Sequence, residues 1–172
     1  KSAFFIRLGG CTVGCPWCDT KESWSQKDHN NINVLDLADE AKIAHSQGAG
    51  LLIITGGEPL HHNLSPLCEA IRERTSIKYG HRMPIHLETS GVDEISGSID
   101  WITLSPKRHA KPKKNLLRDC DEIKVVIHQE EDLLFAEEMA RQSNYEKKTF
   151  YVQKSRENKK NITPHLFLQP GW

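Results

Sequence analysis

Apolar and polar positions along the chain switch between two periods. Ala3–Leu8 reads as a short strand, and Val34–Gln47 carries Leu35, Ala38, Ala41 and Ile43 at helical spacing until Gly48 closes it. Leu51–Thr55 is a continuous apolar run of the kind found in a parallel strand covered on both faces. The same reading predicts a helix at Leu64–Arg74 and strands at Pro84–Glu88, Asp100–Leu104 and Glu122–Ile127. A helix at Glu130–Ser143 and a last strand at Lys148–Val152 complete the series.

Strands that alternate with helices in one direction build βαβ units and a parallel sheet. About six parallel strands with three to four helices predict an α/β fold of the partial, open TIM-type barrel kind, since a closed barrel needs eight. Ligands of such folds bind at the carboxyl ends of the strands. There the sequence places GGCTVGCPWCDT, GGEP, TSG and SPK, four Gly- or Pro-containing loops expected to share one site.

Composition narrows the function. No apolar run comes near the roughly 20 residues that span a bilayer, so no membrane partner is expected. The 23 basic and 23 acidic residues cancel, which removes nucleic acid as a default partner. Lys107–Arg118, with six basic residues in twelve, is the one local exception and is expected to be a solvated loop. With 172 residues and no internal repeat, one domain over 1–172 is expected. Five cysteines, three of them crowded into Cys11-x3-Cys15-x2-Cys18, suit metal ligation in a reducing, cytoplasmic setting better than a disulfide framework; Cys68 and Cys120 are expected to be ordinary thiols.

Three ligands is the informative number. Structural zinc takes a closed set of four, which would require His29 or His61 beside the triplet. A four-iron cubane on three cysteines leaves one iron open for a substrate or cofactor. The CxxxCxxC loop after a first strand, with Trp17 before the last cysteine, resembles that of the radical S-adenosylmethionine enzymes. Together with ETSG (Glu88–Gly91) and SPK (Ser105–Lys107), the triplet is similar to that of the 7-carboxy-7-deazaguanine synthase family over nearly the whole chain.

That resemblance implies a 4Fe-4S cluster on Cys11, Cys15 and Cys18, S-adenosylmethionine on its open iron, and Mg²⁺ at Thr20. It assigns cofactor contacts to Trp17, Cys18, Asp19, Gly56, Gly57, Glu58, Gly91, Ser105, Pro106, Lys107, Gln169 and Pro170, and substrate contacts to Arg7 and Thr89. The residues themselves add physical reasons. Glu58 offers a carboxylate to a cationic amine, and Arg7, turned to the inside of the barrel, calls for an anion: a substrate carboxylate, or Glu58 or Glu88 in an internal salt bridge. The nine histidines are scattered, none with a clear partner in sequence.

The implied reaction is a lyase-type ring contraction of 6-carboxy-5,6,7,8-tetrahydropterin to 7-carboxy-7-deazaguanine with loss of ammonia, a step toward queuosine in tRNA. It needs no catalytic side chain beyond the cluster and its bound cofactor. A flavodoxin- or ferredoxin-type electron donor and a homodimer are further family-based expectations. Against the family's pattern, the chain starts inside the first-strand region and stops at Leu168-Gln169-Pro170-Gly171-Trp172, which reads as a core trimmed at both ends. Two other readings compete: an activase that installs a glycyl radical on a protein partner, and a non-catalytic, zinc-stapled interaction module.

Overall fold

In the computed structural model, which describes residues 2–76, 82–154 and 163–171, six strands run parallel in one sheet whose order copies the chain order. They are β1 (Ala3–Leu8), β2 (Leu51–Gly56), β3 (Ile85–Thr89), β4 (Trp101–Leu104), β5 (Glu122–Ile127) and β6 (His165–Pro170). Helices α1 (Val34–Ser46), α2 (Ser65–Arg74), α3 (Lys114–Asp119) and α4 (Glu130–Lys154) fill four of the five crossovers, and β3 leads to β4 without one. β1 and β6 remain edges, which gives the open, partial barrel that the alternation predicts.

Period-two alternation sorts each strand into two faces. Ile6, Leu52, Ile54, Ile85, Leu87, Ile102, Leu104, Ile123 and Val125 are buried toward the helices. They form one core with Ala38 and Ala41 of α1, Leu67 and Ile71 of α2, Leu116 and Leu117 of α3, and Phe135 and Met139 of α4. The opposite face carries Arg7, Thr55, Glu88, Thr103 and Lys124; parallel register sets Arg7 beside Thr55 and Glu88 beside Thr103.

Local signals explain the helix ends. Asn33 caps α1 by accepting from the Leu35 amide at 2.8 Å. Asp132 folds back to accept from the His128 and Gln129 amides at 3.0 and 3.1 Å, which satisfies orphan donors ahead of α4.

Three expectations need correction. The buried face of α1 is Ala38 and Ala41 flanked by Val34 and Leu37, while Leu35 and Ile43 are exposed; two alanines on the sheet side make the thinner contact surface. Lys107–Arg118 is not a solvated loop throughout, because α3 within it buries Leu116 and Leu117. Lys148–Val152 is not a strand but the continuation of α4 to Lys154, and the sixth strand is His165–Pro170. The β preference of Thr149-Phe150-Tyr151-Val152 is worth about 1 kcal/mol at most, and extending a preformed helix requires no new nucleus. Among the described residues, no helix is long and apolar enough to cross a membrane.

Candidate active site

β1 delivers the chain through Gly9 and Gly10 into the cysteine loop. The loop is folded back on its start: the Gly10 amide donates to the Ser23 carbonyl at 2.7 Å and the Cys11 amide to that of Trp24 at 3.1 Å. Cys11, Cys15 and Cys18, all free thiols, thereby line one cavity of about 350 Å³ at the carboxyl ends of the strands. The Trp24 indole donates to the Cys18 sulfur at 3.4 Å, the Thr20 hydroxyl lies 3.7 Å from that sulfur, and His109 Nε2 is 4.0 Å from the Cys15 sulfur. Burial pushes the Cys15 thiol up, partly offset by the Lys107 ammonium.

Three soft donors around a cavity fit an iron–sulfur cluster with one open corner. They do not fit a zinc staple. His29 Nε2 already binds the Glu22 carbonyl at 2.9 Å, and the His61 ring sits between Thr12 and Asp93. Among the described residues, no three His, Cys, Asp or Glu side chains converge on a single ion.

β2 ends against this loop, backbone on backbone. A Cβ on Gly57 would stand 2.3 Å from the Gly10 carbonyl oxygen, so only glycine fits there. The Gly57 amide donates to Leu8 at 2.8 Å and the Glu58 amide to Gly10 at 2.9 Å.

The Glu58 carboxylate is not presented to a ligand as its place in the sequence suggests. It is 1% exposed and takes hydrogen bonds from the Thr89 hydroxyl at 2.5 Å, the Leu60 amide at 3.0 Å, the Ser90 amide at 2.8 Å and the Ser90 hydroxyl. It joins the loop after β2 to the loop after β3. Thr89 stands in the cavity wall with its hydroxyl donating to Glu58 and accepting from the Gly91 amide at 3.0 Å, so toward a substrate it offers a lone pair and no hydrogen.

Trp17, Asp19, Thr20, Gly56, Ser105, Lys107 and Gln169 also stand in the cavity wall. Lys107 Nζ donates to the Ser105 hydroxyl at 2.7 Å. Burial lowers its pKa, against the Cys15 thiolate, which raises it, while Lys124 lowers it further. Trp17 meets His109 edge-on at 5.9 Å and His128 at 5.3 Å between ring centres.

Four expected residues do not line the cavity. Gly91 is buried at φ +78° with no room for a Cβ beside Leu104, so it serves packing. Pro106 is buried and Pro170 exposed, each next to a residue that does reach the wall. Arg7 is on the cavity side of the sheet but exposed, because β1 is an edge strand. Glu58 and Glu88, its expected partners, are held by hydroxyls instead; the Thr55 hydroxyl donates to Glu88 Oε2 at 3.0 Å. Thr55, Thr103, Lys124, Val126 and His128 line the cavity without having been singled out from sequence, and Glu88 and Ser90, expected there only as part of the ETSG segment, line it as well. For Thr55, Glu88, Thr103, Lys124 and Val126 the signal was available: they are the residues of period two opposite the buried ones.

A model described as "Radical SAM superfamily" matches residues 5–107. A 7-carboxy-7-deazaguanine synthase of Prochlorococcus marinus is 69% identical over 172 residues, covering 100% of this chain and 76% of that protein. One from Synechocystis sp. is 44% identical over 140 residues, covering 81% of this chain and 62% of that protein. The crystal structure of QueE from Escherichia coli superposes with a TM-score of 0.67 at 26% identity, covering 98% of this chain and 74% of that one. A chain with this loop, this open barrel and these relatives belongs to the radical SAM superfamily and, within it, to the 7-carboxy-7-deazaguanine synthase family.

Proposed function

We propose that this chain is a radical S-adenosylmethionine lyase that contracts 6-carboxy-5,6,7,8-tetrahydropterin to 7-carboxy-7-deazaguanine with release of ammonia, on the way to queuosine. One observation carries the reading: three thiols, the glycine pair and the polar ends of β2 to β5 meet in one cavity, in a chain alike over its full length to a synthase of that product.

Cys11, Cys15 and Cys18 would hold a 4Fe-4S cluster, with S-adenosylmethionine beside Gly56, Gly57, Ser105 and Lys107. When bound, cluster and cofactor supply the electron and the hydrogen-abstracting agent. The chain supplies placement. Glu58 fixes two loops to each other, so the wall that receives a cofactor is set before it arrives. Gly57 removes the side chain where the cysteine loop passes. Trp17, with His109 and His128 against it, forms an aromatic part of the cavity wall next to the cysteines. Thr20 presents a hydroxyl inside the cavity, a fitting oxygen for an Mg²⁺ that keeps most of its waters. Glu88, aimed by Thr55, gives the wall an acceptor for N–H groups of a pterin.

The electron would come from a flavodoxin- or ferredoxin-class protein, and the working unit would be a homodimer in the cytoplasm. Five free thiols support the reducing setting. The test is anaerobic reconstitution followed by turnover. About four irons per chain, a spin-resonance spectrum that shifts on adding S-adenosylmethionine, and one ammonia per pterin consumed without any protein substrate are expected. Turnover only with a protein partner would favour the glycyl-radical activase, and one zinc with no spectral response would defeat the proposal.

A further inference from the structure

The three sulfurs are not equivalent. Cys18 takes the Trp24 indole N–H and faces the Thr20 hydroxyl, while Cys15 lies 4.0 Å from His109 Nε2, whose hydrogen goes to the Val13 carbonyl at 3.0 Å. Among the described residues no side chain donates to Cys11, although the residue after it carries both an amide and a hydroxyl. Both of those donors are turned away, onto His61: the Thr12 amide reaches Nε2 at 3.2 Å and the Thr12 hydroxyl lies 2.9 Å from the same nitrogen. An amide can only donate, so Nε2 is the acceptor and Nδ1 carries the ring hydrogen. That hydrogen points to Asp93 Oδ2 at 2.5 Å, which fixes both tautomer and ring plane.

His62, the next residue, donates from Nε2 to the Gly9 carbonyl at 2.8 Å. Two consecutive histidines on the turn after GGEP therefore grip the chain on either side of Cys11. The turn itself is anchored, with the His61 and His62 amides donating to Glu58 and Pro59 at 3.1 Å. Cys11 stands between the active cavity and a more open groove walled by Thr12, His61, His62 and Asp93. His61 and Asp93 thus act on the cluster loop from outside, without facing the substrate cavity.

We propose that His61 and Asp93 are a positioning pair that withholds the Thr12 donors from the Cys11 corner of the cluster and so keeps its reduction potential low. The inference rests on the four-iron reading above. Hydrogen bonds to cluster sulfurs and ligands raise the potential of an iron–sulfur centre, and a low potential is what the one-electron cleavage of a sulfonium requires. Loss of the His61 acceptor frees an amide and a hydroxyl one residue from a ligand.

The experiment is a redox titration of the reconstituted protein followed by spin resonance, on the parent and on His61→Ala, His61→Gln and Asp93→Asn. His61→Ala is expected to move the midpoint to a less negative value and alter the spectrum at unchanged iron content. Asp93→Asn should move it the same way by less, and His61→Gln, which keeps an acceptor for Thr12, should restore the parent's value. A His61→Ala protein with four irons and the parent's potential overturns the proposal, as does a His61→Gln shift equal to that of His61→Ala. Should His61→Ala fail to hold the cluster, Asp93→Asn decides: a shift upholds the pair and an unchanged midpoint overturns it. Four irons and a cofactor-sensitive spectrum in the parent verify the underlying reading separately, whereas zinc in the parent removes both.

Discussion

Glu58 at the carboxyl end of the sheet and Asp100 at its amino end are both carboxylates with several donors, but the donors differ in kind. Asp100 accepts from the Ile85 amide at 2.9 Å, from Arg72 at 3.0 Å and from Arg82 at 3.0 Å. Burial works against its ionised form, but the amide and the two guanidinium groups together hold its carboxyl below the usual range. Glu58 is more deeply buried and is satisfied by hydroxyls and amides alone. Where the sheet end only has to hold, charge is cancelled by charge. Where a charged cofactor has to enter, neutral groups do the holding, and no guanidinium competes for the site.

Removing a thiol tests the cofactor end most directly. Cys18→Ala should lose its cluster and lower turnover by well over 100-fold, since even outer partners of metal ligands cost roughly 10–100-fold; iron counting and pterin turnover would show it. Gly57→Ala comes next. Its Cβ would meet a backbone oxygen that cannot swing aside, a cost of about 3 kcal/mol at the upper end of overpacking, read by urea unfolding together with weakened S-adenosylmethionine binding.

Glu58→Gln keeps the shape but turns one acceptor into a donor facing N–H groups. It should cost about 2 kcal/mol, and cofactor affinity should fall in the same protein, because the two loops it joins both border the cavity. Asp100→Asn is expected to be the mildest, about 1–2 kcal/mol at neutral pH with turnover unchanged. Its folded pKa lies below the unfolded value, so its stabilisation is full above that value and is lost as pH falls through the folded one. The gap between parent and variant in unfolding free energy should therefore close below about pH 4. A gap that stays open in acid, or a loss of turnover, would remove the contrast between the two ends.

Five of the six strands were legible because a covered parallel sheet writes continuous apolar runs, and β1 and β5 begin and end where the pattern places them; β6, an exposed edge strand, was missed. α3 was hidden because its two buried leucines stand among six basic residues. The cysteine loop and GGEP were legible as motifs, but what Glu58 does was not: its partners Thr89 and Ser90 lie 31 and 32 residues away and meet it only once β2 and β3 are side by side. The pairing of His61 with Asp93 was invisible for the same reason, across 32 residues. Arg7 was placed on the correct face, but nothing in a strand's own pattern says whether it is an edge.

The order of the sheet has a consequence for how the molecule comes to be made. Each strand lies beside the one synthesised just before it, so the sheet can grow at a single edge as the chain emerges. Cys11, Cys15, Cys18, GGEP, Thr89 and Ser90 all precede α3, while Lys124, Val126 and Gln169 of the far wall follow it. At about 5–20 residues per second on the ribosome, the thiols face an unfinished wall for several seconds.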